Sequence, residues 1–276
     1  MDAARHHAER ALAELARVLG SRADDLVVIG GLNAELLTDP PDAPHRGTVD
    51  VDLLVQLAVV YDRDEQDFGW LERGLLEAGF RTRGTGWRWW RDVGGVPVKV
   101  ELLCDVYDNP GREVALPGCA VASAQNLRGP GAALAQRTVR RVAVEQRDGV
   151  MTVELQFASL GGYLLAKAAA AFDRGLDKDF YDLAFHLLYN KEGGPAAAGR
   201  AVRAASDDEA AEYARIFLAV LAMFDDPAGP AARAYAELRA QDGVTMAVDL
   251  LAQDAAAAAR ACRDAFLSDV TDRERP

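Results

Sequence analysis

The chain has 276 residues, room for one large domain or two ordinary ones, each with a core of its own. Half of those residues are hydrophobic, which predicts a soluble globular protein, and a formal net charge of −12 argues against broad nonspecific adhesion to nucleic acid or to an anionic membrane. No run approaches the ~18 apolar residues of a membrane span, the N-terminus has no signal-peptide core, and Cys104, Cys119 and Cys262 lack metal or disulfide spacing, so the expectation is a cytoplasmic protein with no membrane partner.

The opening stretch, MDAARHHAERALAELARVLG, sets Ala11, Leu12, Leu15, Val18 and Leu19 at helical spacing and predicts an amphipathic helix. From Val27 to Val55 comes the stretch around which the rest is organised: a short apolar strand, a Gly30-Gly31 turn opening a helix, a Pro-rich loop and a second strand. In that second strand Val49, Val51, Leu53 and Val55 share one face, and Thr48, Asp50 and Asp52 share the other. The two carboxylates then stand side by side, about 7 Å apart along the backbone, where they can converge on shared divalent cations. Other acid-x-acid pairs occur, but only Asp50/Asp52 lies in an alternating apolar strand, where carboxylates need a cation or a polar cleft. The plain alternative is an edge strand with a solvated face. The glycine pair suits phosphate chemistry, because a side chain there would keep a phosphate away from backbone N–H groups.

Asp64 to Ala78 carries Phe68, Leu71, Leu75 and Leu76 at helical spacing, with Gly79 as a stop. Trp87 to Val93, Gly94-Gly95 and Val96 to Leu103 predict a hairpin, whose second arm puts Val98, Val100 and Leu102 on one face and Lys99, Glu101, Leu103 and Asp105 on the other. Trp87, Trp89 and Trp90, interleaved with Arg88 and Arg91, either stack bases or, the favoured reading, pack the hairpin on the core. A second hairpin runs from Thr138 to Glu154, turning at Arg147-Asp148-Gly149.

From about Ser159 the period changes from two to 3.6, which gives two domains, 1–157 of mixed α and β structure and 158–276 of helices. Lys167 and Arg174, seven apart, fall on one helix face and reach a common anion. Gly175 ends that helix, Asp177 caps the next, and Asp179 and Asp182 follow one turn apart. The plain alternative is a solvated face with salt bridges between neighbouring helices; in the functional reading Asp182 can act by orienting Lys167 rather than by touching substrate. His45 is placed to line a cleft, and His186 reads as a satisfied core residue. Ser206 and Glu209 make a capping-box pattern ahead of Ile216, Phe217, Val220, Leu221 and Phe224; Pro227 and Pro230 then break the helix, and periodicity lasts to about Leu267 before a frayed tail.

The order Gly-Gly, helix, loop, Arg46-x-Thr48-x-Asp50-x-Asp52, then a later strand with Glu101, resembles the nucleotidyltransferase superfamily that includes DNA polymerase beta. The stretch LGGYLLAKAAAAFDRGLDKDFYDLAF, with Lys167, Arg174, Asp179 and Asp182, looks like the motif that follows the catalytic domain in AbiEii-type nucleotidyltransferase toxins. That resemblance implies an α+β fold, a nucleotidyltransferase-like mixed sheet with flanking helices followed by a helical domain completing the cleft. It implies two Mg²⁺ ions held by Asp50, Asp52 and Glu101, with Asp105 as the reserve third acid. A nucleoside triphosphate would be met by Gly30, Gly31, Arg46, Thr48, Lys167 and Arg174, and Asp182 would belong to the catalytic set with Lys167. It further implies an RNA acceptor such as the tRNA 3′ end and a partner antitoxin. The second glycine departs from the serine often found there and removes a hydroxyl that would bind phosphate. A small-molecule acceptor of aminoglycoside type, a protein acceptor, or a non-catalytic nucleotide-binding module are the alternatives.

Overall fold

Strand periodicity and helix periodicity sort into separate bodies in the computed structural model, which describes residues 3–45, 50–57, 62–146, 149–206 and 211–273. One unit comprises Met1–Asn33 and Gly47–Ala158, and the other Ala34–Arg46 and Ser159–Pro276.

The first unit is of α+β type. It contains helix α1 (Ala3–Leu19), β1 (Leu26–Val28), the start of α2 (Leu32–Leu37), β2 (Asp50–Val55), α3 (Gly69–Glu77), β3 (Arg81–Thr82), β4 (Arg88–Val93), β5 (Val96–Cys104), β6 (Glu113–Ala115), β7 (Ser123–Asn126), α4 (Ala132–Ala135), β8 (Arg137–Gln146) and β9 (Gly149–Ala158). Among the described residues these nine strands form one mixed sheet in the order β3-β4-β5-β2-β1-β9-β8, with β7 pairing the end of β5 and β6 pairing β7. The centre is β2, antiparallel to β1 and parallel to β5. Val51, Leu53, Val98, Val100 and Leu102 are almost wholly buried, and α1 packs on the sheet with Leu12 and Leu15 inward. The β4–β5 turn pairs Val93 with Val96 across Gly94 and Gly95, whose φ values of 64° and 87° suit a tight hairpin turn that L side chains disfavour.

Several short elements carry no periodicity signal. β3, β6, β7 and α4 are two to four residues long, too short to display a period, and β7 (SAQN) has no alternation of character. The expected helix from Asp64 begins only at Gly69, after a short 3₁₀ turn at Arg63–Glu65. Thr48, Val49, the Arg147-Asp148 corner and Asp207 to Glu209 of the capping-box pattern lie outside the described residues.

The second unit holds α5 (Leu160–Arg174), α6 (Asp177–Tyr189), α7 (Pro195–Ala205), α8 (Ala211–Ala222), α9 (Pro230–Gln241) and α10 (Val248–Arg273). α10 continues past Leu267, where a frayed tail was expected, to Arg273. Asp177 is the first residue of α6 rather than its cap, a place taken by Leu176. Small residues allow helices to approach closely: a Cβ on Gly161 of α5 would stand 2.3 Å from the Ala201 carbonyl of α7. Backbone cannot swing away as a side-chain tip can, so Gly161→Ala should cost about 1–3 kcal/mol, read as a lowered midpoint in thermal unfolding followed by circular dichroism.

The Pro-rich loop reads in sequence as a connection inside the first domain, yet Ala34–Arg46 belongs to the helical unit. Thr38 bridges Asn190, the Lys191 amide donates to the Leu37 carbonyl at 2.8 Å, and the Lys191 ammonium donates to the Glu35 carbonyl at 2.7 Å. Arg239, with no exposed surface, donates from Nη1 to the Ala43 carbonyl at 2.8 Å, its guanidinium facing the rings of Phe185 and Tyr189. Among the described residues no helix is long and apolar enough to cross a membrane.

Candidate functional site

The register of the sheet decides what the acidic residues of the first unit face. Pairing aligns Asp50 with Lys99 and Asp52 with Glu101 across β2 and β5, and Arg88 with Glu101 and Trp90 with Lys99 across β4 and β5. Paired residues of neighbouring strands project from the same face, so Asp50, Asp52, Lys99, Glu101, Arg88 and Trp90 share the side of the sheet opposite Val51, Val98 and Val100. Asp52 and Glu101 are directly adjacent. The register therefore sets Glu101 beside Asp52 on the neighbouring strand.

The acids are tied together by cations. Lys99 Nζ lies 3.2 Å from Asp50 Oδ2 and 3.0 Å from Glu101 Oε1, and Arg88 Nε lies 3.0 Å from the same Glu101 oxygen. Partial burial disfavours charge on Lys99, but the hydrogen bonds and charges of Glu101 and then Asp50 outweigh it and raise the ammonium above its ordinary value. Lys99 is thus a fixed cation and no base at neutral pH. Sequence reasoning placed it on this face without a role; the signal was its shared parity with Glu101.

Gly30 meets Asp52 at the edge of this face. The Ile29 amide donates to the Asp52 carbonyl at 3.0 Å, and a Cβ on Gly30 would fall 2.1 Å from Asp52 Oδ2. The bare Cα is therefore needed for the carboxylate to stand where it does. Asn33 closes the turn from inside, its Nδ2 donating to the Val28 carbonyl at 2.9 Å. The helix that follows, α2, has six residues, so any effect of the Gly30-Gly31 turn on an anion comes from local amides more than from a helix dipole. Asp105, the reserve acid, accepts from the Gly129 and Gly131 amides at 2.8 and 2.9 Å and fastens a loop.

The aromatic run is anchored on the core by one of its three tryptophans. Trp89 is buried and donates from Nε1 to the Gly86 carbonyl at 2.8 Å. Trp87 and Trp90 are half-buried, with Arg88 stacked 3.9 Å from the Trp87 ring centre, and Arg83 and Lys99 at 5.5 and 5.9 Å from that of Trp90.

The second unit holds a separate polar cluster. Lys167 Nζ donates to Asp182 Oδ2 at 2.6 Å, and His45 Nε2 lies 2.9 Å from Asp182 Oδ1. Burial alone would raise the Asp182 carboxyl, but the Lys167 charge and the His45 contact hold it well below the ordinary carboxylate range. Arg174 pairs with Asp179 at 2.6 Å. The two cations thus pair with different carboxylates of α6, and Asp182 orients Lys167 from a position only 2% exposed. His45 lies against α6, near Tyr181, Phe185 and His186. His186 is fully buried, its Nδ1 2.6 Å from the Asp182 carbonyl oxygen, and burial drives its pKa down to about 3. Arg46 and Thr48 lie outside the described residues.

Among the described residues no group of three or more His, Cys, Asp and Glu side chains is gathered as a metal site. The donor chemistry of the acid face nonetheless suits a hard divalent cation: Asp50 and Asp52 offer carboxylate oxygens from one strand face, with Glu101 in register beside them. Lys99 sits between two of the three.

No family model matches the chain, and no curated protein matches it. A solved structure titled "Crystal structure of JHP933 from Helicobacter pylori" is similar to it with a TM-score of 0.41 and 13% identity, covering 99% of this chain and 97% of that one.

Proposed function

We propose that the chain is a metal-dependent nucleotidyltransferase with a nucleotidyltransferase-like fold in its first unit. It moves a nucleoside monophosphate from a nucleoside triphosphate onto an acceptor hydroxyl, with release of pyrophosphate. The observation that carries this reading is the register of β2 against β5, which sets Asp52 beside Glu101 and Asp50 beside Lys99 on one face, with Gly30 against the Asp52 carboxylate. Asp50 and Asp52 would hold Mg²⁺, with Glu101 as the third carboxylate; when bound, the ions supply charge neutralisation at the transferring phosphate and lower the pKa of the acceptor hydroxyl. The chain's own residues orient that arrangement. Gly30 leaves room for the Asp52 carboxylate, and Arg88 fixes one oxygen of Glu101.

The resemblance to AbiEii-type toxins supports an RNA acceptor, the tRNA 3′ end foremost, and an antitoxin as partner. Purified protein incubated with Mg²⁺, each labelled nucleoside triphosphate and total tRNA should transfer label to RNA, and Asp52→Asn should reduce the rate by about 10³-fold or more, the scale of losing one charge-stabilising group in a transfer reaction. Label on an aminoglycoside or on protein would reassign the acceptor; transfer that survives Asp52→Asn would sink the mechanism.

A second reading has one observation in its favour. Lys99 and Arg88 already neutralise Glu101, which suits a face that binds nucleotide without turnover. In that case the triphosphate binds in equilibrium dialysis while no acceptor is labelled.

A further inference from the structure

Three carboxylates on one half-exposed sheet face repel one another, and the chain supplies its own remedy. Lys99 reaches diagonally from β5 so that its ammonium stands 3.2 Å from Asp50 and 3.0 Å from Glu101. It comes from the position in register with Asp50 and two residues before Glu101, so no backbone adjustment is needed for the bridge. The ammonium is only partly enclosed, 17% exposed along its side chain, and a four-carbon stem lets it move. A second resting place adjoins it: the Trp90 ring, in register with Lys99 on β4, has its centre 5.9 Å from Nζ, a distance at which an aromatic face attracts a cation.

From this placement we propose that Lys99 is the resident counter-ion of the acid face, standing between Asp50 and Glu101 where a divalent cation would otherwise bridge them, and yielding to that cation by shifting toward Trp90. The proposal rests on the nucleotidyltransferase reading and adds to it a regulatory residue, one that sets how much Mg²⁺ the face requires. Lys99 competes with the cation by charge and by position, because an ammonium about 3 Å from two carboxylates repels a dication sharing the same oxygens. Its presence keeps the face assembled at low Mg²⁺ and raises the concentration at which three carboxylates are recruited together. Lys99 is a positioning residue, since it acts on the acids rather than on substrate.

The test is direct binding of Mn²⁺, followed by electron paramagnetic resonance, to the full chain and to Lys99→Met and Lys99→Arg, each also unfolded thermally in EDTA and in excess Mg²⁺. Lys99→Met keeps the stem and removes the charge. It should bind Mn²⁺ about tenfold more tightly than the wild type, melt lower in EDTA, and gain more than the wild type on adding Mg²⁺. Lys99→Arg keeps the charge and should bind like the wild type. Unchanged or weaker Mn²⁺ binding by Lys99→Met, with the wild type still binding in a manner abolished by Asp52→Asn, overturns the role of Lys99 and leaves the metal-dependent reading standing. Absence of Mn²⁺ binding in all three proteins overturns both.

Discussion

Asp182→Ala should lower the melting temperature by about 10 °C. The carboxylate is 2% exposed and receives the Lys167 ammonium and His45 at opposite oxygens. Removing one member of a buried ion pair costs about 3–5 kcal/mol, and in a protein of this size each kcal/mol moves the midpoint by roughly 2–4 °C. The partial exposure of Lys167, 16% along its side chain, places the loss toward the lower end. If the cause is charge and not packing, Asp182→Leu combined with Lys167→Met should recover much of it, because a well-packed apolar pair of similar volume is often as stable as the ions it replaces. Differential scanning calorimetry of the single and double variants decides the matter. Failure of the double variant to recover would make packing the cause.

The same cluster makes stability depend on acid in two windows. His186 is neutral when buried, with its pKa lowered to about 3 chiefly by desolvation and then by His45. The unfolded chain therefore takes up that proton first, so stability is complete above the ordinary histidine value and falls as pH drops below it, by about 1.4 kcal/mol per pH unit. Asp182, depressed in the folded state, adds a further loss once pH falls below the ordinary carboxylate range. Melting temperatures from pH 7 to 4.5 should decline in the wild type and level out in His186→Phe; parallel curves would remove His186 as the source.

How far these sites were legible depends on the distance over which each signal acts. The Asp50/Asp52 face and the β4–β5 hairpin declare themselves in a few neighbouring residues, through alternation and through Gly94-Gly95. Glu101 could be assigned to the same face because parity within β5 is local, but its alignment with Asp52 is a parallel pairing across 49 positions, a register that no local pattern sets. The membership of Ala34–Arg46 in the helical unit was illegible for the same reason, since Ala43 meets Arg239 across 196 positions. Arg239 gives no warning of burial; a charged residue on an Ala-rich helix reads as solvated, and only a ring of Phe185, Tyr189 and Tyr235 packed around it shows otherwise. Lys167 and Arg174 were correctly placed on one helix, but spacing along α5 says nothing of which carboxylates the neighbouring helix presents.

Gly30→Ala is expected to reduce nucleotidyl transfer by about 10²-fold while lowering the melting temperature by only a few degrees. A methyl group there would overlap Asp52 Oδ2 at 2.1 Å and crowd the carboxyl carbon at 2.8 Å. The overlapped atom is the end of a side chain, so the clash is relieved by rotation of the carboxylate instead of a shift in the sheet, and overpacking of this kind is near the lower end of about 1–3 kcal/mol. Relief moves the Asp52 oxygen proposed to bind metal by about 1 Å, and a displacement of that size can reduce a rate by about 10²-fold. Mn²⁺ affinity separates two causes: a loss of transfer matched by a loss of Mn²⁺ affinity in Gly30→Ala traces the effect to the Asp52 carboxylate, whereas slowed transfer with unchanged Mn²⁺ affinity means that the turn acts through its amides on the phosphate. Mn²⁺ affinity should fall with transfer in Gly30→Ala, because the substitution crowds the carboxylate proposed to hold the ion. Normal transfer by Gly30→Ala would mean that Asp52 works from another orientation, and the geometry of the acid face would no longer explain the reaction.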